Sequence, residues 1–194
     1  YNLVSRGMVL KMCLGDKKNA IKIEEYKREK INKKKKFTLS NEQIKSIEAL
    51  KKFGDTFNVS LLQGVTGSGK TLVYFERVKK ILNSGKQALI LLPEIFLTNQ
   101  FKERFEEFFG FLPAIWHSKI GIKSKRKIWQ GVINGNLNLV IGARSSLLLP
   151  FKKLGIIVLD EEHDPSYKQD EGIIYHARDM AIARCSMENI PIHL

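Results

Sequence analysis

Val59-Ser60-Leu61-Leu62-Gln63 runs without a break into Gly64-Val65-Thr66-Gly67-Ser68-Gly69-Lys70-Thr71. The first five residues form a short, mostly apolar run, as a strand buried in a parallel sheet does. The next eight have the form GxxxxGK[ST], and residues 70–83 beyond them carry helical apolar spacing. Strand, glycine-rich loop and helix is the context in which this pattern works. Glycines let the backbone wrap closely and turn N–H groups toward phosphate oxygens, and the helix N-terminus adds a positive dipole end at the same place. The loop residues Gly64, Thr66, Gly67, Ser68 and Gly69 are therefore expected to cradle the phosphates of ATP. Lys70 is expected at the β/γ-phosphates, with the Thr71 hydroxyl on Mg²⁺. With glycine near 7% of residues, the pattern arises by chance in roughly one chain per hundred of this length, so a mere glycine-rich turn is the weaker reading.

Working outward, further apolar runs lie at Ala88 to Leu92, Leu112 to Trp116, Leu139 to Ile141 and Gly155 to Leu159. Helix-length stretches at about 95–109, 122–134 and 176–188 separate or follow them. This alternation predicts an α/β domain, a mostly parallel sheet flanked by helices with right-handed crossovers. The run ending at Leu159 passes directly into Asp160-Glu161-Glu162-His163. A carboxylate at the C-terminal end of a strand near the glycine loop reaches the metal, and the next one orients and deprotonates water. Asp160 is thus expected on Mg²⁺ and Glu161 as general base. Alone, an acidic pair capping a strand reads as solvated loop; ninety residues after Lys70 in an alternating pattern, it reads as the second half of the site. Upstream, Ser40-Asn41-Glu42-Gln43 opens an amphipathic helix carrying Ile44, Ile47 and Leu50, and Gln43 by itself reads as the far half of a capping box.

The chain has 194 residues, 43% of them hydrophobic, with 33 Lys+Arg against 20 Asp+Glu for a formal charge of +13. That length fits one substantial domain with at most a small appendage, since domains run roughly 100–200 residues. The composition excludes disorder over most of the chain. No apolar run approaches the ~18 residues of a membrane span, and the start lacks the apolar core of a signal peptide. Cys13 and Cys185 lie far apart without CxxC spacing, so reduced thiols and an intracellular, cytoplasmic setting are expected. The positive surplus points to a polyanionic partner, but it is uneven. Residues 1–36 carry net +8, densest from Lys27 to Lys36, and residues 37–194 carry net +5. A like-charge block of this kind is either solvated linker or a phosphate contact. The opening at Tyr1 and the closing Ile190-Pro191-Ile192-His193-Leu194, which reads as a strand just beginning, suggest a piece of a longer protein.

The glycine loop and the Asp160-Glu161-Glu162-His163 box, in this order, resemble superfamily 2 helicases. The segments between and beyond them resemble the primosomal protein N′ family of bacterial replication-restart helicases. Those segments are Leu39 to Gln43, Leu92-Pro93-Glu94-Ile95 with Leu97-Thr98, His117-Ser118, Arg126 with Trp129, and Ile141-Gly142-Ala143-Arg144-Ser145. Pro150-Phe151, Ser166-Tyr167-Lys168-Gln169 and Tyr175-His176-Ala177-Arg178-Asp179 complete the series. The resemblance covers about residues 38–194. It implies a RecA-like P-loop NTPase lobe of an ATP-dependent 3′-to-5′ DNA helicase, a monomer that uses ATP and Mg²⁺. It implies single-stranded and forked DNA, other primosome proteins and single-strand-binding protein as partners, and no membrane. It also implies that Gln43 reads the adenine edge and that Thr98, Arg144 and Ser145 contact the single-strand backbone. Residues Ser166 to Arg178 become the loop that senses DNA, with Tyr167 and Tyr175 as stacking faces and Lys168 and Arg178 as charges. His163 couples that loop to the carboxylates.

The sequence departs from the family in places. Leu72 stands where Glu usually follows the loop threonine, and Ile173-Ile174 stand where the family has Pro-Arg. The chain closes before the Gly-Ser-Ala-Thr motif, and the second lobe, with its arginine finger and zinc-binding cysteines, has no counterpart in it. Residues 1–36 then read as the tail of a preceding DNA-binding region, with Ser5-Arg6-Gly7 in a winged-helix remnant. Two rival functions stand beside the helicase: another superfamily 2 translocase or RNA helicase, and a truncated scaffold that binds nucleotide or DNA without turnover.

Overall fold

The structure, a computed structural model, describes residues 26, 30, 31, 37–65, 67–170 and 174–194. Most of the basic segment 1–36, together with Cys13, Thr66 and Ile173, lies outside the described residues. Helix α1 (Asn41–Lys52) begins where Ser40 and Gln43 form a complete capping box. Glu42 in its first turn and Lys51 and Lys52 in its last complement the helix dipole. There follow β1 (Val59–Ser60), α2 (Lys70–Asn83), β2 (Gln87–Leu91), α3 (Asn99–Phe109), β3 (Ala114–Trp116) and α4 (Ile122–Asn134). The chain continues through β4 (Leu139–Gly142), β5 (Leu154–Leu159), β6 (Lys168–Gln169), β7 (Tyr175–His176), α5 (Ala177–Glu188) and β8 (Ile192–His193).

Six of the strands form one sheet in the order β1-β8-β5-β2-β4-β3, and every pairing in it is parallel. The expected α/β class is thus observed. Successive residues of a strand point to opposite faces, and the core divides accordingly. Leu89, Leu91, Val140, Ile157 and Leu159 pack with Ile128 and Val132 of α4 and Ala181 and Cys185 of α5. Ala88, Ile90, Ile141, Ile156 and Val158 pack on the other side with Phe75, Val78 and Ile81 of α2 and with α3. There Phe105, Phe108 and Phe109 are fully buried, with Phe105 and Phe109 ring centroids 4.5 Å apart and Phe75 and Phe109 5.1 Å apart. Such pairs add about 0.5–1.5 kcal/mol each beyond area burial.

Several boundaries differ from the sequence reading for local reasons. The third helix starts at Asn99, not near 95, because the Thr98 hydroxyl accepts the Phe101 N–H and Glu94–Phe96 closes a separate 3₁₀ turn. Strand β3 begins only after Pro113, which has no N–H to donate. The apolar run 59–63 yields a strand of only two residues at the sheet edge, with Leu61 exposed. The closing apolar residues do form a strand, β8, inserted between β1 and β5.

Beneath the glycine loop this insertion buries two ionisable groups. Arg77 of α2 pairs with Asp55 at 2.9 Å and donates to the Gly54 carbonyl, pinning the loop before β1. His193 of β8 sits 2.6 Å by Nδ1 from the Ser60 hydroxyl, while its buried Nε2 has no partner among the described residues. Burial, aided by the Arg77 charge, pushes the imidazole down to about 4. An unfolded histidine titrates near ~6.5, so between these values the unfolded chain binds a proton that the folded chain refuses. Stability from this group therefore falls as pH drops from about 6.5 to about 4 and levels off below. Urea unfolding across that window should show a loss of roughly 2–3 kcal/mol, largely abolished in His193→Val. An unchanged slope in the variant would refute the assignment.

Candidate active site

A parallel sheet delivers the C-terminal ends of all its strands to one edge, where ligands bind in open α/β folds. The glycine loop leaves β1 at this edge, Asp160 leaves β5, Glu94 follows β2, His117 follows β3, and Arg144 follows β4. Gly67 and Gly69 take φ of 82° and 83°, the left-handed region that glycine occupies without a Cβ penalty. Lys70 is the first helical residue of α2, with Gly69 as its N-cap. A side chain at Gly69 would drive its Cβ into the Gln43 amide. That contact follows from how Gln43 is used. Its Oε1 accepts the Ser40 N–H at 2.9 Å, completing the helix cap, while Nε2 donates to the carbonyls of Ser68 at 3.2 Å and Gly69 at 3.4 Å. The cap reading of Gln43 is met, and the same amide also grips the loop.

Opposite the loop, the Asp160 backbone N–H bonds the Leu91 carbonyl at 3.1 Å, holding β5 to β2 where both strands end. The Asp160 carboxylate accepts the Tyr74 phenol at 2.8 Å and the Glu161 N–H at 3.1 Å. Desolvation raises its proton affinity above the ordinary aspartate value, opposed chiefly by the Tyr74 hydrogen bond and also by the Lys70 charge. Thr71 lies three residues before Tyr74 in the same helix. Tyr74 thus bonds one of the two residues expected on the metal and stands one turn from the other. Nothing in the sequence marks it, because a tyrosine one turn into an amphipathic helix reads as core. Glu161 follows with φ of 52°, one of two described non-glycine residues in the left-handed region, and its carboxylate lies 3.6 Å from His163 Nε2. The cleft between loop and box has a volume of about 260 Å³ and is lined by Gln63, Gly64, Lys70, Tyr74, Asp160 and Glu161 among others. A larger groove of about 480 Å³ between α1 and α2 contains neither the glycine loop nor the acidic box, so the chemistry belongs to the smaller cleft.

Oxygen donors from Thr71 and Asp160 beside a phosphate cradle suit a hard cation such as Mg²⁺, which keeps waters and phosphate oxygens as its other ligands. No group of three or more His, Cys, Asp or Glu side chains among the described residues is arranged to hold a metal. Cys185 is a buried free thiol whose burial pushes it up to about 12.

The residues expected to face nucleic acid occupy a second cluster. Tyr167 is a correction: it is 1% exposed and cannot offer a stacking face. Its ring packs in the core beneath the turn, and its hydroxyl donates to the Asp160 carbonyl at 2.7 Å. Tyr175 is half-buried on β7, which pairs antiparallel with β6. Arg144 donates to the carbonyls of Ser166 (2.9 Å) and Lys168, so its guanidinium holds the turn. Ser145 accepts the Trp116 indole N–H at 3.1 Å, and Lys168 pairs with Asp170 at 3.0 Å. Arg178 bonds Glu162 at 3.0 Å, and exposed His163 lies 3.6 Å from Glu161. No helix of the described residues is long and apolar enough to cross a membrane.

Residues 40–190 match the DEAD/DEAH box helicase family, and the chain belongs to that family. More particularly, it is similar to replication restart protein PriA of Rickettsia conorii, 45% identical over 187 residues that cover 96% of this chain and 28% of that protein. It is 42% identical to the PriA of Bacillus subtilis over 158 residues, covering 80% of this chain and 20% of that one. The chain spans about a quarter of the length of these curated relatives. Among solved structures, RecG bound to a three-way DNA junction superposes with a TM-score of 0.56 at 24% identity, covering 81% of this chain and 24% of that one. UvsW of T4 gives 0.57 at 17% identity, covering 86% and 32%. At such identity these two speak to the fold alone.

Tyr74→Phe tests the geometry. It leaves a buried carboxylate oxygen unpartnered, which costs about 1–3 kcal/mol, and lets the Asp160 proton affinity climb further. Lower thermal stability and a higher Mg²⁺ requirement for nucleotide binding are expected. A variant matching the parent in both would show that the phenol does not hold Asp160.

Proposed function

We propose that residues 37–194 are the first RecA-like motor lobe of an ATP-dependent DNA helicase of replication restart, with residues 1–36 a basic approach to it. The observation that supports this reading is the Tyr74–Asp160 pair facing Lys70 and the glycine loop across one cleft. Lys70 neutralises charge at the β/γ-phosphates, and the loop N–H groups orient them. Thr71 and Asp160 hold Mg²⁺, which when bound neutralises charge on the phosphate oxygens. Glu161 orients a water and takes its proton. Gln43, already tied to the loop carbonyls, reads the adenine edge.

Thr98, Arg144 and Ser145 lie along the strand track, and the hairpin of β6 and β7 reports its occupancy to the carboxylates. Support for that coupling comes from Tyr167 on the Asp160 carbonyl, Arg178 on Glu162, and Arg144 on the hairpin's base. Single-stranded and forked DNA are the substrates, moved 3′ to 5′, with primosome proteins and single-strand-binding protein as partners. Leu72 removes a carboxylate from beside the phosphates, and Ile173 lies outside the described residues.

In the full-length protein, Lys70→Ala should abolish ATP hydrolysis, and Glu161→Gln should hold ATP uncleaved, read by phosphate release and filter binding. An arginine finger contributes ~10³–10⁵ in rate, so the 194-residue chain alone should bind nucleotide yet hydrolyse it almost undetectably. Stimulation of the full-length enzyme by single-stranded DNA, and not by RNA, separates a DNA motor from an RNA helicase. Wild-type turnover in Lys70→Ala would sink the site.

A further inference from the structure

Charge in the lobe is segregated. From Phe108 to Leu159, fifty-two consecutive residues contain eight Lys and Arg and no Asp or Glu. The rest of residues 37–194 carries a net charge of −3. The fold then sorts these eight cations between two edges of the sheet. Lys152 and Lys153 precede β5 and lie at the edge away from the cleft. Lys119, Lys123, Lys125, Arg126 and Lys127 lie in the turn after β3 and the first half of α4, and Arg144 follows β4. These six share the edge of the ATP cleft.

The turn carrying Lys119 is fixed to both neighbouring segments. Ser118 donates from its backbone N–H (3.4 Å) and its hydroxyl (3.1 Å) to Glu94, which occupies the carboxylate this loop meets from the segment leading to Thr98. Trp116, just before the turn, bonds Ser145 beside Arg144. Lys125 closes the turn by donating to the Ser118 carbonyl at 3.1 Å. Lys119 and Lys123 are exposed, and neither has a side-chain partner among the described residues.

We propose that Lys119, Lys123 and Lys125 form a nucleic-acid phosphate contact that extends the strand track past Arg144 to the β3 edge of the sheet. This rests on the helicase reading and adds to it a binding surface at the start of α4. The partner is a nucleic-acid backbone rather than an anionic membrane, because the patch is tied through Ser118 and Trp116 to the segments bearing Thr98 and Arg144. It also carries no exposed apolar stripe for a bilayer beyond Ile122.

The test uses the full-length protein and a fluorescein-labelled oligodeoxythymidine, with affinity measured against salt concentration. Each phosphate contact on a single strand contributes about 0.7 to the slope of log K against log salt. Lys119→Gln with Lys123→Gln should lower the slope by about 1.4 and weaken binding on the order of tenfold at 0.1 M salt. Lys152→Gln with Lys153→Gln removes the same net charge from the opposite edge and should leave the slope unchanged. Basal ATPase and melting temperature should match the parent in both. Equal effects of the two pairs would reduce the patch to bulk charge and overturn the proposal. So would loss of binding to phosphatidylserine vesicles with oligonucleotide affinity intact. Failure of the helicase reading is a separate result, the absence of DNA-stimulated ATPase in the parent protein.

Discussion

The structure turns on one carboxylate placed where the sheet stops. Asp160 stands at the end of β5, an interior strand whose six residues are all buried, so the charge emerges from a desolvated stem. Desolvation there raises its proton affinity and makes an unpartnered carboxylate costly. The fold answers with the Tyr74 phenol, the Glu161 N–H and the nearby Lys70 ammonium. These keep the carboxylate ionisable without neutralising it. Asp160 lines the cleft that it shares with Gly64 of the glycine loop and with Lys70. Helix α2 supplies three of the groups at once: Lys70, Thr71 and Tyr74 span its first turn and a half.

How legible this was depends on the range of the interaction. Strands β2, β4 and β5 and helices α2, α4 and α5 are each written as local periodicity, and the sequence reading finds all six within one or two residues. The glycine loop and the acidic box are legible because their chemistry needs fixed residue types beside fixed elements. Tyr74 escapes because its role is set by an 86-residue separation in sequence, closed only when β5 lies beside α2. Tyr167 misleads for the same reason. The family resemblance implies a stacking face there, but the 3₁₀ turn Pro165–Tyr167 rotates the ring into the core. Gln43 does more than its cap reading foresaw: its oxygen serves the helix cap and its nitrogen holds the loop.

The net charge of +13 is a poor guide until it is located. Divided by sequence at residue 36, it leaves the lobe nearly balanced. Divided by the fold, the lobe is polarised, since an acid-free stretch of β3, α4 and β4 sits beside helices that carry the carboxylates. Screening limits exposed charges to about a Debye length, near 10 Å at 0.1 M salt. Cations therefore act on a polyanion only where the chain brings them together, and a parallel sheet brings together the turns that follow its strands. The same topology that assembles the nucleotide cleft thus lines up the turns after β2, β3 and β4 beside it.

The contacts between those turns and the cleft pass through backbone rather than through a chain of side chains alone. Tyr167 bonds the carbonyl of Asp160, the residue before Glu161, whose φ of 52° costs a non-glycine residue about 1–2 kcal/mol. The Asp164 N–H closes the turn on the Glu161 carbonyl at 2.9 Å, and Arg178 holds Glu162. The backbone of the acidic box is therefore clamped on both sides by residues of the segment that Arg144 pins from β4. The peptide they hold is already off its preferred conformation, and its carboxylate lines the cleft. That strain is of the order of a hydrogen bond, so the contacts clamping the box are sufficient to hold it.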